Sequence, residues 1–147
     1  YENVPTADIS GFEGLAAVYA LRKKITLEFA VSSYNISDLA AFPFKYDTKY
    51  IANLLIDHAG YSFQLHWFYE GEQVGLIIDY DDSEFIRKGL VLPEYQNIDI
   101  HLGKVFEVWQ FKLFGNFSVR NLLDTEFDLA GIAIRDRRFY VSLGFEY

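Results

Sequence analysis

Apolar and polar side chains alternate along most of this sequence, and the pattern is clearest in its last ten residues. In residues 138–147 every second side chain is large and apolar, while those between are mostly small or polar. Successive side chains of a β-strand point to opposite faces of its sheet, so the pattern predicts a strand with one apolar face. The apolar positions of this strand are Phe139, Val141, Leu143, Phe145 and Tyr147.

The same two-residue period predicts six more strands, which makes seven in all. The period is clean in four segments and blurred in two, where both faces carry large apolar side chains. We therefore predict an all-β fold. The clean segments are 25–32, 62–70, 97–103 and 111–120, and the blurred ones are 9–21 and 49–57.

The predicted connections alternate between short and long. The short ones are 22–24, 58–61 and 105–109, and the long ones are 33–48, 71–95 and 121–136. This alternation is typical of an antiparallel up-and-down transmembrane barrel, whose strands need about nine to eleven residues to cross a bilayer. Aromatic residues near the predicted strand ends favour the same interpretation, because such residues form girdles at membrane interfaces. They are Tyr34, Tyr50, Tyr61, Tyr69, Trp109 and Tyr147.

A soluble sandwich or a lipocalin-like barrel would also produce a period of two. The membrane barrel is favoured because the apolar faces are bulky and nearly continuous, while the opposite faces carry ionisable and amide side chains. Such groups are costly in a dry core unless they are paired, but they are natural in a water-filled lumen. They are Glu28, Gln64, His66, Glu70, Asp99, His101 and Arg120.

Composition excludes several functional classes. The chain has 147 residues and no cysteine, which excludes a disulfide framework, a thiolate metal site and a cysteine nucleophile. A net charge of -8 without a basic patch argues against nucleic-acid binding. No apolar run is long enough for a transmembrane helix. Because the sequence begins with Tyr1 and contains no methionine, we expect a processed chain or a piece of a longer one.

Ligand-binding candidates lie in the longest connection and on the polar faces. The acidic cluster of the connection could bind Ca²⁺ through carboxylate oxygens, but it lacks the EF-hand pattern, and Arg87 and Lys88 could pair with it instead. A solvated loop is the favoured interpretation. The candidates are Asp79, Tyr80, Asp81, Asp82 and Arg87 in the connection, and His66, His101 and Arg120 on the polar faces.

Metal binding and catalysis find little support in the sequence. The two histidines His66 and His101, with Glu70 and Asp99, are of types that bind transition metals, but their spacings match no metal motif. Water-solvated lumen residues are the simpler explanation. No nucleophile elbow or other catalytic spacing is present. We therefore expect no metal, no cofactor and no enzymatic activity.

Four motifs in order resemble those of the TonB-dependent outer-membrane receptors. Residues 118–127 (SVRNLLDTEF) resemble the segment that precedes the last strand of these receptors, and Gly131 and residues 137–140 (RRFY) follow as they do there. Residues 1–13 resemble a strand start of the family, and residues 92–95 (LPEY) resemble the segment before its late strands. Residues 139–147 resemble the C-terminal signal that the barrel-assembly machinery recognises.

This resemblance implies that residues 1–147 are the C-terminal portion of a 22-strand barrel in the bacterial outer membrane. Neither a plug domain nor a TonB box is in the sequence. The implied function is the uptake of a scarce ligand, which could be a ferric siderophore, cobalamin, haem or a glycan. The implied partners are outer-membrane lipid, the remainder of the barrel with its plug, the TonB complex acting through that plug, and the barrel-assembly machinery, with no nucleic acid.

The odd number of strands has a consequence of its own. Bacterial single-chain barrels have even strand numbers, and lipid does not tolerate unpaired strand edges. We therefore expect seven strands to pair with the rest of their own barrel. The alternatives are a small self-contained outer-membrane barrel or a ligand-binding β-sandwich or adhesin, with an eighth strand from 74–80. An outer-membrane hydrolase would need a catalytic constellation that is not visible.

Overall fold

The described part of the chain is almost entirely β-structure. The computed structural model describes residues 6–81, 84–126, 128–129, 132–133 and 136–147, with side chains except at residues 40, 76–81, 84–88, 128–129 and 132–133. These residues form eleven strands and one short 3-10 helix, Leu39–Ala41. No helix in these ranges combines the length and the apolar character needed to cross a bilayer.

Seven strands form the main sheet, and the other four form two separate hairpins. The strands of the sheet are β1 (Ile9–Ala20), β2 (Ile25–Ile36), β3 (Thr48–His58), β4 (Tyr61–Glu70), β7 (Tyr95–Val108), β8 (Phe111–Arg120) and β11 (Arg138–Glu146). The hairpins are β5 (Gln73–Asp81) with β6 (Glu84–Leu92), and β9 (Asp128–Leu129) with β10 (Ile132–Ala133).

The main sheet is an antiparallel up-and-down meander. Its order is β1-β2-β3-β4-β7-β8-β11, and every neighbouring pair is antiparallel. The predictions of an all-β, up-and-down architecture and of seven main strands are therefore confirmed. The sheet does not close into a barrel, because within the described ranges β1 and β11 each pair on one side only.

Short turns connect the strands at one end of the sheet, which we call the turn end. The turns are residues 21–24, 59–60 and 109–110. The predicted connection at 105–109 was wrong, because β7 continues to Val108 before it turns. Phe106 lies opposite Leu113 and Val108 lies opposite Phe111, so these apolar residues extend the ladder of β8.

Longer connections lie at the other end, which we call the loop end. The predicted loop 71–95 contains the β5–β6 hairpin, and Glu70 lies directly opposite Tyr95 below it. The alternative with a strand at 74–80 is confirmed as to the strand, which is β5, but this strand does not become the eighth of the main sheet, because it pairs with β6 in a sheet of its own. One backbone hydrogen bond, from Phe44 N to Val74 O at 2.8 Å, holds the hairpin to the β2–β3 connection.

The register brings the apolar positions of all seven strands to one side of the sheet, which we call the apolar face. Residues directly opposite each other in a ladder share a face, so each row can be followed from strand to strand. The opposite side, which we call the polar face, collects the intervening positions. One row across the apolar face consists of Val18, Leu27, Leu54, Leu65, Ile100, Val119 and Phe139.

Neither face of the main sheet is covered by a second layer of the described chain. The accessible surface is 11101 Å², against roughly 7,800 Å² expected for a compact monomer of this mass. Large apolar side chains are exposed, and Leu143 in β11 is 83% exposed. Four apolar residues of the described ranges are buried, namely Phe68, Leu92, Tyr95 and Val119. The main sheet is therefore a single layer within the described ranges, and few of its apolar side chains are buried.

The short turns are staggered along the strand direction. Ile25 belongs to the last pair of the β1–β2 hairpin. The row of directly opposed residues that contains Ile25 leads across the sheet to Leu102 in β7. Strand β7 continues six residues further to Val108, which is about 20 Å along the strand. The centres of the two hairpins are four strand spacings apart, or about 19 Å. The line through the turns therefore makes an angle of about 45° with the strands.

Candidate functional site

The polar face carries the predicted site residues of the main sheet. His66 lies in β4, His101 in β7 and Arg120 at the end of β8. The register places His66 directly opposite Asp99, and His101 opposite both Gln64 and Ser118. The structure thus brings the two histidines onto neighbouring strands of one face, as the period of two predicted.

A chain of hydrogen bonds crosses three strands of the polar face. Asn53 Nδ2 donates to Glu28 Oε2 at 3.2 Å, and Asn53 Oδ1 lies 2.5 Å from His66 Nδ1. A carboxylate only accepts hydrogen bonds, so Asn53 must turn its amide nitrogen to Glu28 and its carbonyl oxygen to His66. His66 Nδ1 therefore carries the proton and donates. This arrangement leaves His66 Nε2 as the atom that can meet a ligand on this face.

The second histidine makes a separate contact. His101 Nδ1 lies 2.8 Å from Ser118 Oγ, on the neighbouring strand β8. Within the part of the chain that the structure describes, no group of three or more histidine and acidic side chains is placed to hold a metal ion. The polar face thus offers hydrogen-bonding groups in a row, and the chemistry of such a row is recognition of a polar ligand or of a polar neighbouring surface.

A latch at the loop end of the polar face joins β7 to the connection after β8. Asp99 Oδ1 accepts hydrogen bonds from Asn121 N and from Asn97 Nδ2, both at 2.9 Å. Asn121 is 2% exposed and exchanges two hydrogen bonds of 3.2 Å with the backbone of Thr125. Its backbone has φ 53°, in the left-handed region that asparagine tolerates better than most residues.

This latch gives a physical role to one motif of the sequence. The asparagine of the segment 118–127 is Asn121, and it closes the turn that leads away from the sheet. The period of two placed Asp99 on the polar face, but nothing in the sequence showed that its carboxylate would cap this turn. Asn53 was not recognised as a site residue, because its strand has large apolar residues on both faces.

An ion pair closes the polar face near the β5–β6 hairpin. Lys49 Nζ lies 2.7 Å from Glu70 Oε1, and each side chain is about a quarter exposed. Gln73 Nε2 at the start of β5 reaches Glu70 Oε2 at 3.4 Å. The base of the hairpin therefore contacts the loop end of the polar face. A ligand held by the hairpin would lie next to this end.

The predicted acidic cluster lies at the tip of this hairpin. Asp79 is opposite Ile86, Tyr80 opposite Phe85 and Asp81 opposite Glu84, while Arg87 is opposite Ile78. Asp82 lies outside the described residues, and so do the side chains of the other cluster members. Asp79, Tyr80, Asp81 and Arg87 are therefore part of a pair of hydrogen-bonded strands at the loop end rather than of an irregular loop.

The remaining predicted residues lie in the last two strands of the sheet or directly after them. Arg120 is exposed, and its guanidinium carbon lies 5.7 Å from the centre of the Tyr140 ring on β11. Four of the five positions of the predicted assembly signal share the apolar face of β11, the fifth directly follows the strand, and all five are exposed. They are Phe139, Val141, Leu143, Phe145 and Tyr147.

Comparison with known proteins finds no matching family model, no matching curated protein and no matching solved structure. The assignment of a function therefore depends on the geometry of the sheet and on the motifs of the sequence.

Proposed function

We propose that this chain forms part of the wall of a transmembrane β-barrel in the bacterial outer membrane. The observation that carries this proposal is the apolar face, which has an apolar row across all seven strands and many exposed large apolar side chains, with no second layer of the described chain over it. Monomeric soluble proteins rarely expose an apolar patch of such extent, whereas a barrel wall needs one to face lipid.

The stagger of the short turns supports the same proposal. If the three turns lie in one plane parallel to the membrane, the strands are tilted by about 45° from the membrane normal. Strands of transmembrane barrels are tilted by about 35–45°. The main strands contain nine to fourteen residues, which is enough to cross the hydrocarbon layer at this tilt.

The motifs of the sequence specify the class of barrel. In this proposal the chain supplies the last seven of 22 strands of a TonB-dependent receptor, and β1 and β11 pair with the remainder of that barrel. The polar face lines the lumen and meets the plug, and the loop-end hairpins contact a scarce ligand such as a ferric siderophore, cobalamin, haem or a glycan. TonB acts through the plug, and this chain catalyses no reaction.

The two tryptophans of the chain provide a direct test. Trp67 lies on the apolar face between Ala52 and Ile98, whereas Trp109 lies in a short turn and is 90% exposed. The single-tryptophan variants Trp109→Phe and Trp67→Phe are refolded into lipid vesicles. Bromine atoms placed along the acyl chains should quench Trp67 strongly and Trp109 weakly, because only Trp67 would lie within the hydrocarbon layer.

Equal quenching of the two tryptophans in the vesicle-bound chain, or recovery of the chain as a soluble monomer without detergent, would contradict the proposal. A second measurement separates a receptor fragment from a self-contained barrel. An isolated chain with two unpaired edges should migrate on a gel identically with and without heating. A compact, heat-sensitive monomer would favour the small barrel, and ligand binding by a soluble monomer would favour a sandwich or adhesin.

A further inference from the structure

The turn end of the sheet is positively charged, although the whole chain carries a net charge of -8. We count the residues on the turn-end side of the row that contains Ile25 and Leu102. They include five basic and three acidic side chains. An anionic ligand is therefore attracted to this end of the sheet rather than to the rest of the chain. The basic residues are Arg22, Lys23, Lys24, Lys104 and Lys112, and the acidic ones are Asp57, Glu107 and Glu146.

A groove of about 470 Å³ opens beside the turn between β1 and β2. This volume lies within the range of about 300–1,000 Å³ that is common for small-molecule sites. Three of its lining residues are aliphatic and three are basic, and no carboxylate lines it. Such a lining fits a ligand with an apolar part and an anionic part. The lining residues are Leu21, Ile25, Ile56, Arg22, Lys24 and His58.

Two of the basic side chains of the groove are in contact. Lys24 Nζ lies 3.2 Å from His58 Nδ1. An ammonium group only donates hydrogen bonds, so His58 Nδ1 accepts, and Nε2 of the neutral ring carries the remaining proton. Lys24, His58 and Arg22 therefore all present N–H donors. A phosphate group, with several acceptor oxygens and a negative charge, suits this set of donors.

A nearby lysine indicates where the apolar face meets a polar medium. Lys104 lies on the apolar face opposite Tyr61, and its ammonium nitrogen is 3.4 Å from the centre of the Tyr61 ring. The same nitrogen donates to Ala59 O in the β3–β4 turn at 3.0 Å. The aliphatic stem thus follows the apolar face while the charge reaches the turn end, as in side chains at membrane interfaces.

We propose that the groove binds an anionic glycerophospholipid. Its phosphate lies against Arg22, Lys24 and His58, and its acyl chains follow the aliphatic surface of Ile25 and Ile56. This proposal rests on the proposed function, because a lipid reaches the groove only if the apolar face lies in a membrane. It adds a headgroup-selective site at the turn end to a face that in the proposed barrel meets lipid mainly through apolar side chains.

The test uses the 147-residue chain in phosphatidylcholine vesicles that contain a trace of spin-labelled phosphatidylglycerol or spin-labelled phosphatidylcholine. The spectrum gives the fraction of each labelled lipid that the protein immobilises. The unchanged chain should prefer phosphatidylglycerol by at least about fivefold, since each basic residue near an anionic lipid surface contributes about that factor. Lys24→Gln should lower this preference about fivefold, and Arg22→Gln should lower it as well.

Lys23→Gln is the matched control, because it removes the same charge from the same turn. The Lys23 ammonium lies 5.7 Å from the centre of the Tyr19 ring, and Tyr19 lies on the polar face. This variant should keep the preference of the unchanged chain. Equal losses in Lys23→Gln and Lys24→Gln would show a general charge effect and would overturn the groove as the site.

Two further outcomes are informative. Displacement of labelled phosphatidylglycerol by millimolar inorganic phosphate, with no need for acyl chains, would show a site for the free anion and would overturn the lipid assignment. Quenching of Trp67 by brominated acyl chains is measured in the same vesicles. If Trp67 is quenched but no preference appears, the lipid site is wrong and the proposed function stands; if Trp67 is not quenched, both fail.

Discussion

The two faces of the main sheet are built from the same strands but are stabilised in different ways. On the apolar face the described contacts include ring contacts, with 6.3 Å between the ring centres of Phe29 and Tyr50 and 5.8 Å between those of Tyr50 and Tyr69. On the polar face, Asn53 joins neighbouring strands through hydrogen bonds, and Asp99 joins β7 to the connection after β8. The stability of the apolar face thus depends on the medium around it, whereas that of the polar face depends on specific partners.

The largest effect should come from a charge placed on the apolar face. Leu65 lies midway along β4 between Tyr61 and Tyr69, and Leu65→Arg would place a guanidinium against lipid in the proposed barrel. We expect a loss of about 2–4 kcal/mol, the cost of arginine at the bilayer midplane. Urea titration of the chain in vesicles measures this free energy of unfolding.

Gln64→Arg is the control, because Gln64 is the neighbour of Leu65 and lies exposed on the polar face. It should change the free energy of unfolding by less than about 1 kcal/mol. Similar losses for the two arginine variants would show that both faces meet the same medium, and would remove the distinction between them.

The latch of the polar face should be the next most sensitive feature. Asn121→Ala removes the two side-chain hydrogen bonds to Thr125 and leaves alanine at a φ of 53°. We expect a local loss of about 2–3 kcal/mol, seen as faster hydrogen exchange of the amides of residues 121–126. Asn116→Ala, which loses one exposed contact with Ser142, should leave this exchange unchanged. Unchanged exchange in Asn121→Ala would show that the latch is dispensable.

The period of two predicted the strands and their faces because each strand can be recognised from its own residues. It could not predict the end of a strand where that end depends on pairing with a neighbouring strand. Strand β2 was predicted to end at residue 32, but it continues to Ile36 because its last residues pair with β1, where Ile36 lies opposite Ile9. The hairpin in residues 71–95 was missed for the same reason, since Val74 is fixed by Val91 on the facing strand.

The candidate site was predicted only in part. His66 and His101 were recognised because an ionisable side chain on a strand is conspicuous in a sequence. Their partners Asn53 and Ser118 were not, because a contact between strands depends on register, and register is set by all the strands of the sheet together. The basic groove was hidden in the same way, since His58 lies 34 residues from Lys24 along the chain.

The smallest effect should come from the ion pair of Lys49 and Glu70. Both side chains are about a quarter exposed, so solvent screens their attraction. A double-mutant cycle with Lys49→Met and Glu70→Gln should give a coupling energy of about 0.5 kcal/mol, read from urea titration. A coupling energy above about 2 kcal/mol would show that solvent screens this pair less than its exposure indicates.

Because Glu70 pairs directly with Tyr95, the β5–β6 hairpin can be replaced or changed in length without disturbing the main sheet. The ends of the connection are already brought together by the ladder of β4 and β7, so its length matters little to the sheet: doubling a flexible connection costs only about 0.6 kcal/mol. Insertions, deletions and whole replacements can therefore accumulate between residues 71 and 94 while the register below is kept. In evolutionary terms, the tip of the molecule is free to change faster than the sheet that carries it.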